Sequence, residues 1–313
     1  MAQEATLAHF VSAKEYLKND ELSKALIELD SATSISSNFA DAYELKGNIW
    51  ELKKEDRKAI SQYSLAILHN PLLTNSYLRR AALHFKLKDH RNYVLSDVNE
   101  AIRINPMNAS LHQLKAFYYA HSLSPQTLKP DYRNAISSLN TAILLDPKES
   151  SYLKFRSDYK FKSGQKLSAL IDINSAIAKN NIDDTYFHSR AVIRFTMSDF
   201  RSSLNDINKA IELNTSDYMY YQFRGNVYYN LNQYNQAYGD YSTTINLVFA
   251  EITKTKSQIR PDNPLNRKLR ETLLLRGMSL VQENKPYDGC DDFKRALQMG
   301  ESKATNYIRQ YCR

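Results

Sequence analysis

Apolar and small residues along this chain recur at spacings of four and three inside polar surroundings, the pattern of one-sided helices rather than alternating strands. The stretch from Asp41 to Pro71, DAYELKGNIWELKKEDRKAISQYSLAILHNP, shows it most plainly. Tyr43, Gly47 and Trp50 fall on one face of a first helix, and Ala59, Tyr63 and Ala66 repeat the spacing on a second. Gly47, Ala59 and Ala66 let the two helices approach closely, while Tyr43, Trp50 and Tyr63 fill the space between them. Asn70-Pro71 closes the unit, because proline lacks the amide donor and clashes with the preceding turn.

The same unit returns along the whole chain. Aligning the second-helix residue equivalent to Ala66 gives Ala32, Ala66, Ala101, Ala142, Ala176, Ala210, Thr244 and Ala296, at intervals of 34, 35, 41, 34, 34, 34 and 52 residues. Chance amphipathic helices do not hold such a register. The third repeat is placed on Leu78, Ala82 and Phe85, then Val98, Ala101 and Pro106. The fourth carries seven extra residues around Ser122–Asp131, and about 18 residues are inserted near Asn246–Arg267. There the second helix of repeat seven is expected to run through Lys256 before Pro261 and Pro264 break it.

These features resemble the tetratricopeptide repeat (TPR) family, whose period is about 34 residues. The resemblance implies an all-α fold: a TPR solenoid, a right-handed superhelix of about eight helix-turn-helix repeats with a C-terminal capping helix. Residues 1–247 are assigned to repeats one to seven, 248–268 to an insertion or linker, and 269–313 to repeat eight and the cap. Single helices of 12–14 residues are marginal alone, so stacking on neighbours is expected to supply most of the stability.

A second periodicity runs through the later repeats. Arg156 and Asp172, Arg190 and Asp206, Arg224 and Asp240, and Arg276 and Asp292 are each 16 residues apart. Each Arg precedes the small residue of a first helix, and each Asp precedes the aromatic or aliphatic residue of a second. A contact that recurs once per repeat fits a structural Arg–carboxylate bridge, within or between repeats, better than a row of ligand-binding arginines.

Composition adds limits. A hydrophobic fraction of 42%, a charged fraction of 24%, seven glycines and eight prolines describe a folded chain that is neither a β-sandwich nor disordered. No apolar run approaches the roughly 18 residues a transmembrane helix needs. The start, MAQEATLAHF, has neither the basic nor the apolar region of a signal peptide, and is compatible with a mature chain given a new initiator Met. Of the net charge of +8, the segment from Lys254 onward carries +6. A nucleic-acid groove along the whole array would spread its charge more widely.

Signatures of catalysis are missing: no Gly-rich phosphate loop, GxSxG or HExxH is present, and the histidines do not cluster with acids at metal-ligand spacing. No catalytic residue, metal or cofactor is expected. What remains is surface. In TPR arrays the first helices line a concave face, which here implies Phe10 and Lys14, Glu44 and Asn48, Arg79 and Leu83, Gln113 and Phe117, Lys154 and Asp158, His188 and Val192, and Gln222 and Asn226. Lys86, Phe161, Phe195 and Tyr229 lie three residues further. Arg79, Phe117, Phe161 and Tyr229 are the expected anchors for a peptide or partner protein, since aromatics and Arg dominate hot spots. Several of these aromatics could equally pack against the next repeat. Co-chaperones of this family grip a carboxylate terminus with lysines that are missing here, and Glu44 would repel one. The alternative reading is a nucleic-acid-associated repeat protein using the basic C-terminal end, tested by Lys268 and Arg270; the tyrosines of Tyr218–Tyr241 are read as core rather than as a base-stacking platform.

The closing stretch GCDDFKRALQMGESKATNYIRQYC resembles the end of many bacterial TPR proteins. It holds both cysteines, Cys290 and Cys312, either bonded, which suits an oxidising compartment such as a periplasm, or reduced and buried. The exported reading is preferred to a cytoplasmic one. A bond would add roughly 3 kcal/mol by loop entropy.

Overall fold

The computed structural model describes residues 2–123, 129–255 and 263–312, and helices are the only regular elements among them. Pro125 of the repeat-four insertion, and Lys256 and Pro261 of the later one, lie outside the described residues. The chain forms two compact units, Met1–Ser163 and Gly164–Arg313.

The first unit holds α1 (Ala2–Lys18), α2 (Leu22–Ile35), α3 (Ala40–Leu52), α4 (Asp56–His69), α5 (Thr74–Lys86), α6 (Arg91–Ile104), α7 (Ala109–His121), α8 (Tyr132–Leu145) and α9 (Ser150–Lys162). The second holds α10 (Lys166–Lys179), α11 (Asp184–Thr196), α12 (Phe200–Leu213), α13 (Tyr218–Asn230), α14 (Tyr234–Lys254), α15 (Pro264–Gln282), α16 (Pro286–Gln298) and α17 (Ala304–Tyr311). Each odd-numbered helix from α1 to α7 packs on the helix after it as a hairpin, as do α11, α13 and α15, and α17 lies against α16. The fold is an all-α TPR solenoid. Most of the segment 248–268 is helical: α14 continues to Lys254 and α15 begins at Pro264.

Small residues set how closely each hairpin closes. All of the aligned second-helix residues, Ala32, Ala66, Ala101, Ala142, Ala176, Ala210, Thr244 and Ala296, are 0% exposed. On the first helices, a Cβ added to Gly47 would stand 2.5 Å from the Tyr63 ring, and one added to Gly225 would stand 2.6 Å from Tyr241. Only glycine permits that approach. The tyrosine hydroxyls emerge on the far side and donate to Asn48 Oδ1 at 2.8 Å and Asn226 Oδ1 at 2.9 Å.

Outside repeat four, the turns between the two helices of a repeat share one geometry. Asp20, Lys54, Lys88, Gly164, Ser198, Asn232 and Asn284 all sit at positive φ, between 56° and 88°. The next residue's amide reaches back five positions, as in Glu55 N to Trp50 O (2.9 Å) and Gln233 N to Tyr228 O (2.9 Å). This left-handed cap satisfies the carbonyls that the helix end leaves open. Between repeats the helix stops at a residue such as Asn70, whose amide still bonds Ala66 O at 2.8 Å.

Repeat three corrects the sequence reading. Tyr77 and Ala81 are the core residues of α5, at 6% and 0% exposure, while Leu78 is half-buried and Ala82 exposed. The extra residue of the 35-residue interval lies in the turn between α5 and α6, not ahead of α5, so every face of α5 is rotated by one position.

Candidate functional site

Correcting that register changes which residues share a surface in the first unit. The positions equivalent to Gln113, Phe117 and Ala120 of α7 are Glu44, Asn48 and Glu51 on α3, Leu78, Ala82 and Phe85 on α5, and Lys154, Asp158 and Phe161 on α9. Arg79 and Lys86 stand beside this face instead. The Arg79 guanidinium is 3.6 Å from Glu51, and Lys86 Nζ is 2.7 Å from Asp56. Leu83 is buried at 3% against the Tyr63 cluster. The face is thus acidic on α3, apolar on α5 and α7, and closed by an ion pair on α9, where Lys154 meets Asp158 at 2.8 Å.

A pocket of about 600 Å³ opens on the apolar part. Leu139 of α8, fully buried, is its floor. Leu78, Leu111, Leu114 and Phe117 wall one side, and Phe155 and Tyr159 of α9 the other. Asn108, Ser110 and Gln113 supply the polar groups along its edge. Phe117 is 38% exposed, held on edge by Phe85 (5.6 Å between centroids) and stacked on His121 (4.2 Å). Burial pushes the Tyr159 hydroxyl well above the usual tyrosine range, so it stays a neutral phenol at any physiological pH. The site offers apolar surface, hydrogen-bond donors and acceptors, and no acid–base pair.

The remaining surface candidates sit in the second unit and are more fully committed to it. Gln222 is 9% exposed and donates to Thr272 at 3.0 Å. Asn226 holds the Tyr241 hydroxyl. Phe195 packs on Phe200 and Phe223 (5.3 and 5.5 Å), and Tyr229 on Tyr234 (5.2 Å).

The arginines before the small residues form clasps. Arg190, Arg224 and Arg276 each bind the aspartate 16 residues on, Asp206, Asp240 and Asp292, with Nη2 at 2.6–2.7 Å. Each also reaches the second helix of the preceding repeat, at Asn174 (3.0 Å), Asn208 (2.9 Å) and Ser242 (3.2 Å). Arg156 donates to Asn140 in the same way (2.8 Å), and Asp172, in the other unit, is 3% exposed. Arg80 makes a clasp that sequence spacing missed, because the extra turn residue sets its partner Asp97 at 17 positions. Repeat four departs from this. Lys115 takes the arginine's place and Ser138 the aspartate's, Lys115 has no ion pair among the described residues, and burial pulls its amine down.

At the C-terminal end three of the basic residues have partners: Arg276 in its clasp, Arg270 on Met299 O (3.2 Å), and Lys268 3.6 Å from Glu271. Cys290 and Cys312 are joined in a disulfide across α16 and α17, with Cα atoms 5.6 Å apart. No described helix is long and apolar enough to cross a membrane.

No protein-family model matches the chain, and no curated protein matches it either. Solved structures do. The crystal structure of the APC/C hetero-tetramer Cut9–Hcn1 is similar over 93% of this chain and 53% of its own, at 15% identity and a TM-score of 0.58. Pseudomonas aeruginosa pilF is similar over 72% of this chain and 99% of its own, at 14% identity and a TM-score of 0.51. YrrB, a TPR protein with an unusual peptide-binding site, is 16% identical over 61% of this chain and 94% of its own, with a TM-score of 0.47. At such identities the likeness is one of fold: this chain is a TPR-like helical repeat protein.

Proposed function

We propose that the protein is a non-catalytic scaffold that holds a segment of a partner protein on the first-helix face of its first unit. An apolar side chain of the partner enters the pocket between α7 and α9. The observation that carries this reading is the pocket of about 600 Å³ with a largely apolar lining beside a part-exposed Phe117. Such a site gives affinity by desolvating a side chain, and its few polar groups fix the backbone of the bound segment.

The test is affinity capture from nuclease-treated lysate of the native organism, followed by titration of the purified partner against wild type, Phe117→Ala and Tyr229→Ala. Phe117→Ala is expected to weaken binding by about 30-fold, the equivalent of a hot spot of about 2 kcal/mol, while Tyr229→Ala in the second unit changes little. A partner retained in full by Phe117→Ala would overturn the assignment of this pocket.

A further inference from the structure

Three deeply buried tyrosines of this chain have hydroxyl partners: Tyr63, Tyr220 and Tyr241 donate to Asn48, Asp184 and Asn226 at 2.8, 2.7 and 2.9 Å. Tyr159 of α9 is set as deeply, at 4% exposure, yet its hydroxyl bonds nothing among the described residues. The oxygen is not fully enclosed, and Tyr159 is a wall of the pocket between α7 and α9. Its ring is held by Tyr132, stacked at 6.1 Å, and by His121, edge-on at 6.1 Å.

Packing does not call for this hydroxyl. The equivalent first-helix residues are Ile49, Leu83, Ile193 and Val227, together with Tyr118, which lies outside the pocket lining. Four of these are aliphatic, so the position accepts a side chain with no polar atom. A buried phenol ordinarily finds a hydrogen-bond partner, and the one at Tyr159 has open space in front of it instead. The rest of the lining narrows what could fill that space. Phe117 and Phe155 present rings, and no residue lining the pocket carries a charge.

We propose that the side chain taken up by this pocket is a tyrosine of the partner protein, its ring against Phe117 and Phe155 and its hydroxyl on that of Tyr159. The inference rests on the pocket being the binding site and names its occupant. Tyrosine brings an aromatic body to an aromatic wall. Its hydroxyl both donates and accepts, so it meets another phenol in either sense. Phenylalanine or leucine would instead bury the Tyr159 hydroxyl unpaired, and an ionised side chain would be desolvated without a counter-ion. Asn108, Ser110 and Gln113 are left for the backbone of the bound segment.

The test uses p-cresol, toluene and 3-methylindole as stand-ins for tyrosine, phenylalanine and tryptophan, titrated by NMR into the full, disulfide-intact chain. Phe117→Ala is expected to weaken p-cresol and toluene alike. Tyr159→Phe, its helical circular dichroism unchanged, is expected to weaken p-cresol about tenfold and to leave toluene within about twofold, because only p-cresol loses a hydrogen bond. If wild type binds none of the three probes, the pocket itself is not the site, and this inference falls with it. If the probes bind but Tyr159→Phe leaves p-cresol unchanged, or weakens toluene equally, the pocket stands and the tyrosine assignment is overturned. A loss confined to 3-methylindole overturns it as well, in favour of tryptophan.

Discussion

Gly225 and Gly239 lie in adjacent helices and face opposite surroundings. A Cβ at Gly225 would be driven into the fully buried Tyr241 ring, whereas a Cβ at Gly239, on α14, meets nothing within 4 Å. Gly225→Ala is expected to destabilise the second unit by about 1–3 kcal/mol through overpacking. Gly239→Ala should be neutral or stabilising by up to about 1 kcal/mol, since alanine is the better helix former. Urea denaturation separates the two, and equal effects would mean that the ring moves aside freely. Individual side chains like these were legible from the start, because Gly and Tyr at fixed spacing leave few ways to pack. Phe10, Phe117 and Phe195 were not. An aromatic on a first helix reads the same whether it faces a groove or a neighbouring ring, and only the contact geometry distinguishes the part-exposed Phe117 from the packed Phe195.

Whole helices tell a similar story. Second-helix alanines fixed the register of α2, α4, α6 and the rest, because a buried methyl at a close helix approach tolerates little else. The first helix of repeat three was misplaced by one residue, since Tyr77-Leu78 and Ala81-Ala82 offer two apolar faces of nearly equal quality. That slip also hid Arg80–Asp97. The clasps themselves have a measurable consequence. Asp292, 4% exposed, has Arg276 as its guanidinium partner, whereas Asp206 is held by both Arg190 and Arg194 (each 2.7 Å). Removing one partner of a buried pair strands a charge, so Arg276→Ala is expected to cost on the order of 3 kcal/mol. Arg190→Ala should cost clearly less, because Arg194 remains. Thermal or denaturant unfolding of the two variants decides it, and equal losses would show that Arg194 contributes nothing. The pocket was not legible at this scale, because it is the space that α5, α7, α8 and α9 fail to fill.

At the scale of the molecule, the sequence showed the repeat architecture and the cap but not where the chain divides into two units. The cap is where covalent chemistry enters. With its ends separated by 22 positions in the sequence, the Cys290–Cys312 bond is expected to stabilise the second unit by roughly 3 kcal/mol. Hydrogen exchange should show the α17 amides losing protection in Cys312→Ser, with those of the first unit unchanged; an α17 that stays protected would mean that Tyr307, Ile308 and Tyr311 hold it alone. The hairpin turns have a broader consequence. From Ala32 to Ala210, each second-helix alanine is followed 15 residues later by the small residue of the next first helix, at Gly47, Ala81, Ala116, Ser157, Ala191 and Gly225. The added lengths of repeats three and four fall instead inside the hairpins, and in repeat three the turn keeps its left-handed residue, Lys88. Up to Gly225 stacking is therefore insulated from insertion, whereas the residues added near Asn246–Arg267 fall between α14 and α15, outside the hairpin turns. New sequence can accumulate at the hairpin turns of the first six repeats without changing the register between neighbouring repeats.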